Sequence, residues 1–284
     1  MDETGFSLKD ANVSIIGLGL MGGSLAMSLK GHCRKLSALD IHAATLEFAC
    51  SKKIVDYADS DPVKVLSDAD LIILACPVPA IINWLERLPK FVKHACLLID
   101  LGSTKRTIIE AMKTLPGNFD AVGGHPICGK ENLSIQQAEP ALFKDAPFGL
   151  VALSEISENL REALRQIMEV IGANPVWIDA DAHDQILAMT SHLPFLLSTA
   201  LSLITDEKMA VFVGPGYRSA TRLVETPASM MLGVLESNRD HITEALRRLR
   251  EALTEIENAL LENETTKLMK LLETAQSRHQ KLIQ

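Results

Sequence analysis

The sequence lacks the features that define several classes of protein. Its five cysteines have neither the paired spacing of a disulfide framework nor the spacing of a metal site, so we expect reduced thiols and no bound metal. The first ten residues are acidic and polar, unlike a secretory or transit signal. These absences together predict a cytoplasmic protein.

Long apolar runs and a surplus of positive charge are also missing. Uninterrupted apolar runs such as Leu71–Ala75 have the length of a strand and are far shorter than a membrane span. The 36 acidic residues outnumber the 28 lysines and arginines, and the resulting net charge of −8 argues against nucleic acid or an anionic membrane as a partner. An anionic small-molecule substrate would therefore need a local basic site.

The segment Val13–Ser24, with the sequence VSIIGLGLMGGS, combines a strand, a glycine turn and the beginning of a helix. Gly17, Gly19 and Gly22 have the G-x-G-x-x-G spacing that permits a sharp turn, close approach of a pyrophosphate and tight packing of helix on strand. Asp40 ends the next predicted strand, where a carboxylate accepts from ribose hydroxyls and repels a 2′-phosphate. The alternative is a plain glycine turn with a solvated aspartate.

We therefore predict a site for NAD, with NADP disfavoured. The helix that follows the turn would direct its positive end at the phosphates. The residues predicted to contact NAD are Gly17, Leu18, Gly19, Leu20, Met21, Gly22, Asp40, Cys76, Pro77 and Val78.

The hydrophobic pattern changes once along the chain. In the first half, strand-sized apolar runs alternate with helical patterns, which predicts a doubly wound parallel sheet. From Asp179 onward only helices are predicted, the first reaching about Ile204 with Asp179 or Asp181 as its cap. We therefore expect an α/β protein with an N-terminal Rossmann-type domain (residues 1–179) and an all-α domain (residues 180–284). The predicted strands are Val13–Ile16, Leu36–Asp40, Leu71–Ala75, Leu97–Asp100, Ala121–Gly123, Phe148–Leu153 and Pro175–Ile178.

Near the C-terminus, apolar residues recur at alternating spacings of four and three. This heptad pattern fits an amphipathic helix packed on its own domain, and it fits equally a helix shared between two subunits. The residues of the pattern are Ile242, Leu246, Leu249, Leu253, Ile256 and Leu260.

Two of the eight histidines lie in unusual surroundings. His125 follows a predicted strand and two glycines in GGHPICGKE, and a loop at a strand end above a cofactor pocket is where catalytic groups lie. His192 lies in TSHLPF on an apolar helix, where a histidine is more often a hydrogen-bonded core residue. We predict a catalytic role for His125, whereas both interpretations stay open for His192.

Arg218 and Arg222 are four residues apart in GPGYRSATR and share one face if the segment is helical. Because a guanidinium binds a carboxylate through two parallel hydrogen bonds, the pair is suited to hold an anionic substrate. The alternative is a pair of surface arginines that form ion pairs with Glu207 or Glu225.

Six motifs follow one another along nearly the whole chain: GLGLMGGS, ILACPVP, DLGSTK, GGHPICGKE, SHLP and GYRSATR. In this order they resemble the prephenate/arogenate dehydrogenase family of tyrosine biosynthesis. The resemblance implies a homodimer that joins through its C-terminal helices. It also implies NAD(P)-dependent oxidative decarboxylation of prephenate to 4-hydroxyphenylpyruvate, or of arogenate to tyrosine.

The resemblance further implies roles for individual residues. His125 corresponds to the catalytic histidine that bonds the ring hydroxyl of the substrate, and Ser103 to the serine that bridges this histidine, the hydroxyl and the nicotinamide. His192 corresponds to the SHLP histidine that lines the substrate pocket. Arg222 corresponds to the arginine that binds a substrate carboxylate, and Glu131 to the acid in the loop after the catalytic histidine.

The chain departs from the family pattern at the expected pocket wall. Many relatives have a second histidine where this chain has Phe195, and a tryptophan where it has Met230 and Met231. These differences concern the choice between prephenate and arogenate more than the reaction.

Two alternative functions stay open at this point. A β-hydroxyacid dehydrogenase has the same two-domain build but uses a catalytic lysine in the helical segment after the domain boundary, and the segment Ala180–Ile204 contains no lysine. A non-catalytic regulator would bind NAD without turning it over.

Overall fold

The computed structural model of the chain describes residues 5–130 and 132–283, which form two compact units. The first unit ends at Asn238 and the second begins at Arg239. Residue 179, where we predict the domain boundary, lies inside the first unit between its last strand and the helix that begins at Ala180. The contrast between an alternating first part and a helical remainder is as predicted.

Eight strands of the first unit form a single sheet. They are β1 (Asn12–Ile16), β2 (Lys35–Leu39), β3 (Tyr57–Asp59), β4 (Leu71–Leu74), β5 (Cys96–Asp100), β6 (Phe119–Pro126), β7 (Pro147–Ala152) and β8 (Asn174–Trp177). Their order in the sheet is β3-β2-β1-β4-β5-β6-β7-β8. The order reverses between β1 and β4, and a doubly wound sheet binds its ligand in the crevice at that point.

The described part of the first unit contains ten α-helices. They are α1 (Leu20–Leu29), α2 (Ala43–Ser51), α3 (Pro62–Leu66), α4 (Val78–Phe91), α5 (Arg106–Met112), α6 (Glu158–Ile171), α7 (Ala180–Leu187), α8 (Leu193–Ile204), α9 (Pro215–Thr221) and α10 (Ala228–Ser237). Alternate residues of β4 belong to the two hydrophobic clusters on opposite faces, Ile73 on one side and Ile72 on the other. Burial on both faces explains why the central strands are continuously apolar.

The sheet differs from the prediction at two places. The short strand β3 was not predicted, because three half-buried residues carry little hydrophobic pattern. The strand β7 runs antiparallel to β6, whereas the prediction was a parallel sheet throughout. The described residues between β6 and β7 form only short 3₁₀ turns, and a parallel strand would need a longer crossover, usually a helix. The crossover helix α6 then restores parallel pairing between β7 and β8.

The prediction was also wrong about where β6 ends. The strand continues to Pro126, so His125 lies within the sheet, opposite Gly149 of β7, and not in a loop after the strand. The sequence Gly-Gly-His-Pro is typical of a strand end, but here the glycines serve close packing. A Cβ atom on Gly124 would lie 2.5 Å from the carbonyl oxygen of Asp100 on the neighbouring strand.

The long helix predicted after Asp179 is interrupted by a turn of π-helix. The side chain of Asp179 caps α7 as predicted, accepting hydrogen bonds from the N–H groups of Asp181 and Ala182. The π-turn Ala188–His192 joins α7 to α8 and carries His192 at its end. By length and composition the run Ala180–Ile204 could cross a membrane. It nevertheless buries four polar residues, His183, Asp184, His192 and Ser198, which makes it part of the folded unit.

The second unit consists of α11 (Arg239–Leu261) and α12 (Thr265–Leu282). The predicted heptad pattern lies on α11, where Ile242 is buried but Leu246, Leu253 and Leu260 are 36, 52 and 58% exposed. This unit therefore leaves most of the pattern uncovered within one chain.

The close packing of α1 on β1 gives a direct test of the glycine motif. A Cβ atom on Gly22 would lie 1.9 Å from the carbonyl oxygen of Gly17, so Gly22→Ala must push the helix away from the strand. We expect the free energy of unfolding to fall by about 1–3 kcal/mol, as measured by chemical denaturation. The matched control is Gly117→Ala, since a Cβ atom there meets nothing within 4 Å. Equal stability of the two variants would contradict this account.

Candidate functional site

A cavity of about 630 Å³ lies at the carboxyl ends of the central strands. Nine of the ten residues predicted to contact NAD line its wall: Gly17, Leu18, Gly19, Leu20, Met21, Asp40, Cys76, Pro77 and Val78. The tenth, Gly22, packs behind the turn against Gly17. The cavity thus lies at the point where the strand order of the sheet reverses.

The glycine turn has the shape of a cradle for a phosphate group. Gly17 has φ of +97°, and a Cβ atom there would lie 2.6 Å from the carbonyl oxygen of Ala75. Helix α1 begins directly after Gly19, so its positive end faces the cavity. The N–H of Leu20 donates to the carbonyl of Leu133, 2.7 Å away, which draws the segment after β6 over the turn. These features fit the pyrophosphate of a dinucleotide.

Asp40 is held rigidly at the end of β2. One carboxylate oxygen accepts the N–H of Leu18 at 2.8 Å and the other accepts the N–H of His42 at 2.9 Å. Each oxygen keeps a second lone pair for a hydroxyl group. A fixed carboxylate on the cavity wall fits a ribose diol and opposes a 2′-phosphate.

A buried ion pair, Lys105 with Asp100, connects the end of β5 beside the cavity to the neighbouring strand β6. The ammonium group of Lys105 donates to the carboxylate of Asp100 and to the carbonyl of Gly124 at 2.6 Å. Asp100 also accepts the N–H of Gly102 at 2.7 Å and that of Gly124 at 3.2 Å. Both side chains of the pair are fully buried. Burial raises the pKa of Asp100 and lowers that of Lys105.

His125 belongs to a chain of three hydrogen-bonded side chains. Its Nδ1 lies 2.9 Å from Nε2 of His183, and Nδ1 of His183 lies 2.8 Å from Oδ1 of Asp184. The two imidazole rings meet edge to face, with their centroids 5.1 Å apart. His183 and Asp184 are buried in the middle of α7, whereas His125 is half-buried.

The charges around this chain are set by burial and by hydrogen bonds. Burial, with His183, Lys105 and His192 adding to it, holds the pKa of His125 well below its ordinary value, so the imidazole is neutral near pH 7. Burial opposes ionisation of Asp184, but hydrogen bonds from His183 and from the N–H groups of Arg106 and Lys105 outweigh it and lower its pKa. The site therefore offers a neutral base, His125, that is linked through His183 to a carboxylate.

His192 is tied to the same helix through Asn238. The amide nitrogen Nδ2 of Asn238 donates to the backbone carbonyl of Asp184 at 2.7 Å and lies 3.3 Å from Nδ1 of His192. His192 is 2% exposed, and burial lowers its pKa to about 4 despite the nearby charge of Asp184. Both interpretations of His192 are thus compatible with the structure. His192 is buried and hydrogen-bonded, and Asn238 connects it to Asp184, the residue that also bonds His183.

The remaining predicted site residues are distributed over the surface and the cavity wall. Ser103 lines the cavity. Arg218 lies on α9 and Arg222 opens the 3₁₀ turn that follows, and both are exposed. Within the described part of the chain the cavity wall includes neither arginine, nor His125, nor His192. Glu131 lies outside the described residues.

Four residues of the hydrogen-bonded network around His125 and His192 were not predicted: Lys105, His183, Asp184 and Asn238. Lys105 is the last residue of the motif DLGSTK, and a lysine at that position has the appearance of a surface residue. His183 and Asp184 lie four and five residues after the helix cap Asp179, and adjacent His-Asp near the start of an apolar helix was an available signal. Only the fold brings Asn238 to them.

Two protein-family models match almost the whole chain. The model for the prephenate dehydrogenase nucleotide-binding domain matches residues 25–176, and that for the prephenate dehydrogenase dimerization domain matches residues 179–274. A prephenate dehydrogenase of Lactococcus lactis subsp. cremoris is 30% identical over 253 residues, which cover 86% of this chain and 70% of that protein.

Among the solved structures with a similar fold are enzymes of Aquifex aeolicus and Synechocystis. The prephenate dehydrogenase of Aquifex aeolicus, in complex with hydroxyphenyl propionate and NAD⁺, superposes with a TM-score of 0.89 at 22% identity, over 97% of this chain and 99% of that one. The arogenate dehydrogenase of Synechocystis superposes with a TM-score of 0.79 at 26% identity, over 95% of this chain and 99% of that one.

Replacing Lys105 tests how much the fold depends on its buried ion pair with Asp100. Lys105→Met keeps most of the side-chain volume but leaves Asp100 as an unpaired buried charge, so we expect the free energy of unfolding to fall by about 3–5 kcal/mol. The matched control is Lys113→Met, since Lys113 and its partner Glu110 are both largely exposed. We expect the control to change the free energy of unfolding by less than about 0.5 kcal/mol.

The same variant has a predictable pH dependence. Loss of the attraction to Lys105 raises the pKa of Asp100 further, so the folded variant binds a proton that the unfolded chain has lost. The stability of the variant should therefore recover, relative to wild type, as the pH falls from about 8 to about 5. If the variant's loss of unfolding free energy relative to wild type is constant over this range, the ionised carboxylate of Asp100 is not the cause of the destabilisation.

Proposed function

The chain belongs to the prephenate dehydrogenase family and is an NAD-dependent oxidoreductase, and we propose that it oxidatively decarboxylates prephenate to 4-hydroxyphenylpyruvate, or arogenate to tyrosine. The observation that carries the proposal is His125, a neutral imidazole on the strand next to the wall of a dinucleotide-type cavity. Gly102 and Gly124 are both bonded to Asp100, which links that wall to the strand of His125.

NAD is the cofactor that this cavity fits. We propose that the turn from Gly17 to Gly22 holds the pyrophosphate and that Asp40 holds the adenosine ribose. The segment Cys76–Val78 forms the wall on the β4 side. NAD supplies the acceptor for the hydride that leaves C4 of the substrate ring.

His125 accepts the proton of the ring hydroxyl in this proposal. As the hydride leaves C4, the hydroxyl becomes a carbonyl and its proton needs an acceptor that is neutral at physiological pH. The low pKa of His125 keeps its imidazole in that state. Ser103, on the cavity wall, would orient the hydroxyl between His125 and the nicotinamide. Carbon dioxide then leaves C1, its bonding electron pair makes the ring aromatic, and the oxygen on C4 takes a proton back from the protonated His125 or from water to give the phenol.

The substrate carries two carboxylates, and the proposal assigns them to the helical part of the chain. Arg222 binds one carboxylate by charge and by paired hydrogen bonds, with Arg218 one turn before it. The family resemblance also assigns Glu131 to substrate binding. His192 lines the pocket. Alignment of C4 with the nicotinamide is the main contribution of these contacts to the rate.

The assembly of the protein is proposed on two observations. The exposed leucines of α11 and the match to a dimerization domain support a homodimer that joins through the C-terminal helices.

The two family models meet between residues 176 and 179, which supports a domain boundary near residue 179. We also propose a cytoplasmic location, which the five free thiols support.

A spectrophotometric assay tests the function and its alternatives. The purified protein is given NAD or NADP together with prephenate or arogenate, and formation of the reduced nicotinamide is followed by its absorbance. We expect turnover with NAD and at least one of the two substrates. Binding of NAD without turnover of either substrate would support a regulator, and turnover only with a β-hydroxyacid would support the other dehydrogenase.

Replacing the proposed base should slow the chemical step. For His125→Asn we expect kcat to fall by ~10²–10⁴-fold, because a general base is lost. In wild type the acid limb of the kcat/KM profile should lie below the ordinary histidine pKa of about 6.5, and the variant should lack it. The control is His32→Asn, since His32 is exposed beyond α1. Near-normal turnover of His125→Asn would remove His125 from the mechanism.

Replacing the proposed carboxylate ligand should weaken substrate binding. For Arg222→Ala we expect a higher KM for the substrate, equivalent to about 2–5 kcal/mol of lost charge pairing, with a smaller change in kcat. The control is Arg161→Ala, which removes an exposed arginine from its pair with Glu158 on α6. If KM is the same in both variants, Arg222 does not bind the substrate.

A further inference from the structure

We propose that Asp184 is a positioning residue that sets opposite tautomers on the two histidines of the site, acting on His125 through His183 and on His192 through Asn238. This inference rests on the proposed function, in which His125 must offer a lone pair to a hydroxyl proton. It adds a reason why that lone pair lies on Nε2.

The first branch starts at the carboxylate of Asp184. Oδ1 accepts the backbone N–H of Lys105 at 2.7 Å, and Oδ2 accepts that of Arg106 at 3.0 Å. A carboxylate held by two N–H donors is ionised and can only accept hydrogen bonds. Nδ1 of His183, 2.8 Å from Oδ1, must therefore carry a proton and donate it to this bond.

The proton on Nδ1 decides what His183 offers to His125. In an imidazole whose single proton lies on Nδ1, Nε2 has a lone pair and no proton. Nδ1 of His125 lies 2.9 Å from that nitrogen and must be the donor. His125 is then the Nδ1–H tautomer, and its Nε2 is the nitrogen left free to accept the hydroxyl proton.

The second branch starts at the backbone carbonyl of the same residue. This carbonyl can only accept, so the atom of Asn238 that lies 2.7 Å from it is the amide nitrogen, and the orientation of the amide is fixed. The other hydrogen of that nitrogen points to Nδ1 of His192 at 3.3 Å. Nδ1 of His192 is therefore an acceptor, and the neutral ring carries its proton on Nε2.

The two histidines thus differ in chemistry although both are neutral. His125 offers a lone pair at Nε2, which suits proton abstraction, and His192 offers an N–H at Nε2, which suits a hydrogen bond to a carbonyl or carboxylate oxygen. Exchange of the two tautomers would leave a hydroxyl without an acceptor. Because Asn238 is fully buried and Asp184 lies in α7, the assignment is built into the fold before any substrate arrives.

Nuclear magnetic resonance measures the tautomers directly. Long-range proton–nitrogen correlations on the full-length protein labelled in histidine distinguish protonated from unprotonated ring nitrogens, and His125→Asn and His192→Asn assign the signals. We expect Nδ1–H on His125 and on His183, and Nε2–H on His192, with and without NAD. A proton on Nε2 of His125, on Nε2 of His183, or on Nδ1 of His192 would overturn the proposal. This result does not depend on whether either substrate is turned over.

Two replacements of His183 give a kinetic test. In His183→Gln the amide oxygen can occupy the place of Nε2 and accept from His125, whereas in His183→Asn the side chain is too short to reach. We expect His183→Asn to lower kcat about 10–100-fold, the usual cost of losing a partner that orients a histidine, with KM for NAD unchanged. His183→Gln should retain several-fold more activity.

The control for both variants is His94→Asn, since His94 bonds the carbonyl of Ala69 at the amino ends of β4 and β5, away from the cavity. Thermal melting confirms that each variant folds. Equal losses of kcat in the Gln and Asn variants, both with a wild-type acid limb in the pH profile, would show that His183 acts only as a packing residue. If wild type turns over neither substrate, the proposed function fails, but the tautomers still decide this inference.

Discussion

One lysine holds together the parts of the site that come from different segments of the chain. The ammonium group of Lys105 bonds Asp100 and the carbonyl of Gly124, and its backbone N–H bonds Asp184. A buried ion pair contributes little net stability compared with a well-packed apolar pair, but it is very costly to break. Its effect here is geometric, because Lys105 fixes the ends of β5 and β6 and helix α7 relative to one another. The position of His125 on β6 depends on these contacts.

The cavity and the network around His125 are built by different means. The main features at the cavity are a turn with glycine where a Cβ atom would collide with the backbone, a helix N-terminus and a carboxylate held by two N–H groups. Such a site depends on local geometry and is encoded within about thirty residues of sequence. In the network, side chains from β6, from α7 and from Asn238 directly after α10 meet in a largely buried arrangement. A buried network of this kind fixes protonation states, because a misplaced proton leaves a polar atom without a partner.

Much of this could be anticipated from the sequence, and the omissions have physical causes. The two-sided burial of the sheet makes its central strands apolar, and the turn between β1 and α1 requires glycine where a Cβ atom would collide with the backbone. Both effects are local, so they appear as pattern. The strand β3 and the extension of β6 escaped prediction because the neighbours of these residues, and not their own hydrophobicity, place them in the sheet. His125 was singled out from the sequence, but its position within a strand was not foreseen.

By itself the sequence determined the class of fold, the place of the glycine turn, the change to helices after Asp179 and the family to which the chain belongs. Each of these depends on residues close to one another in the chain, where spacing and residue type limit the backbone directly. The tertiary structure alone decided that β7 runs antiparallel, that Lys105 is buried, and that His183 and Asn238 connect the two histidines to Asp184. These are contacts between segments far apart in the chain, and hydrogen-bond partners at such distances are chosen by packing, which no local pattern records.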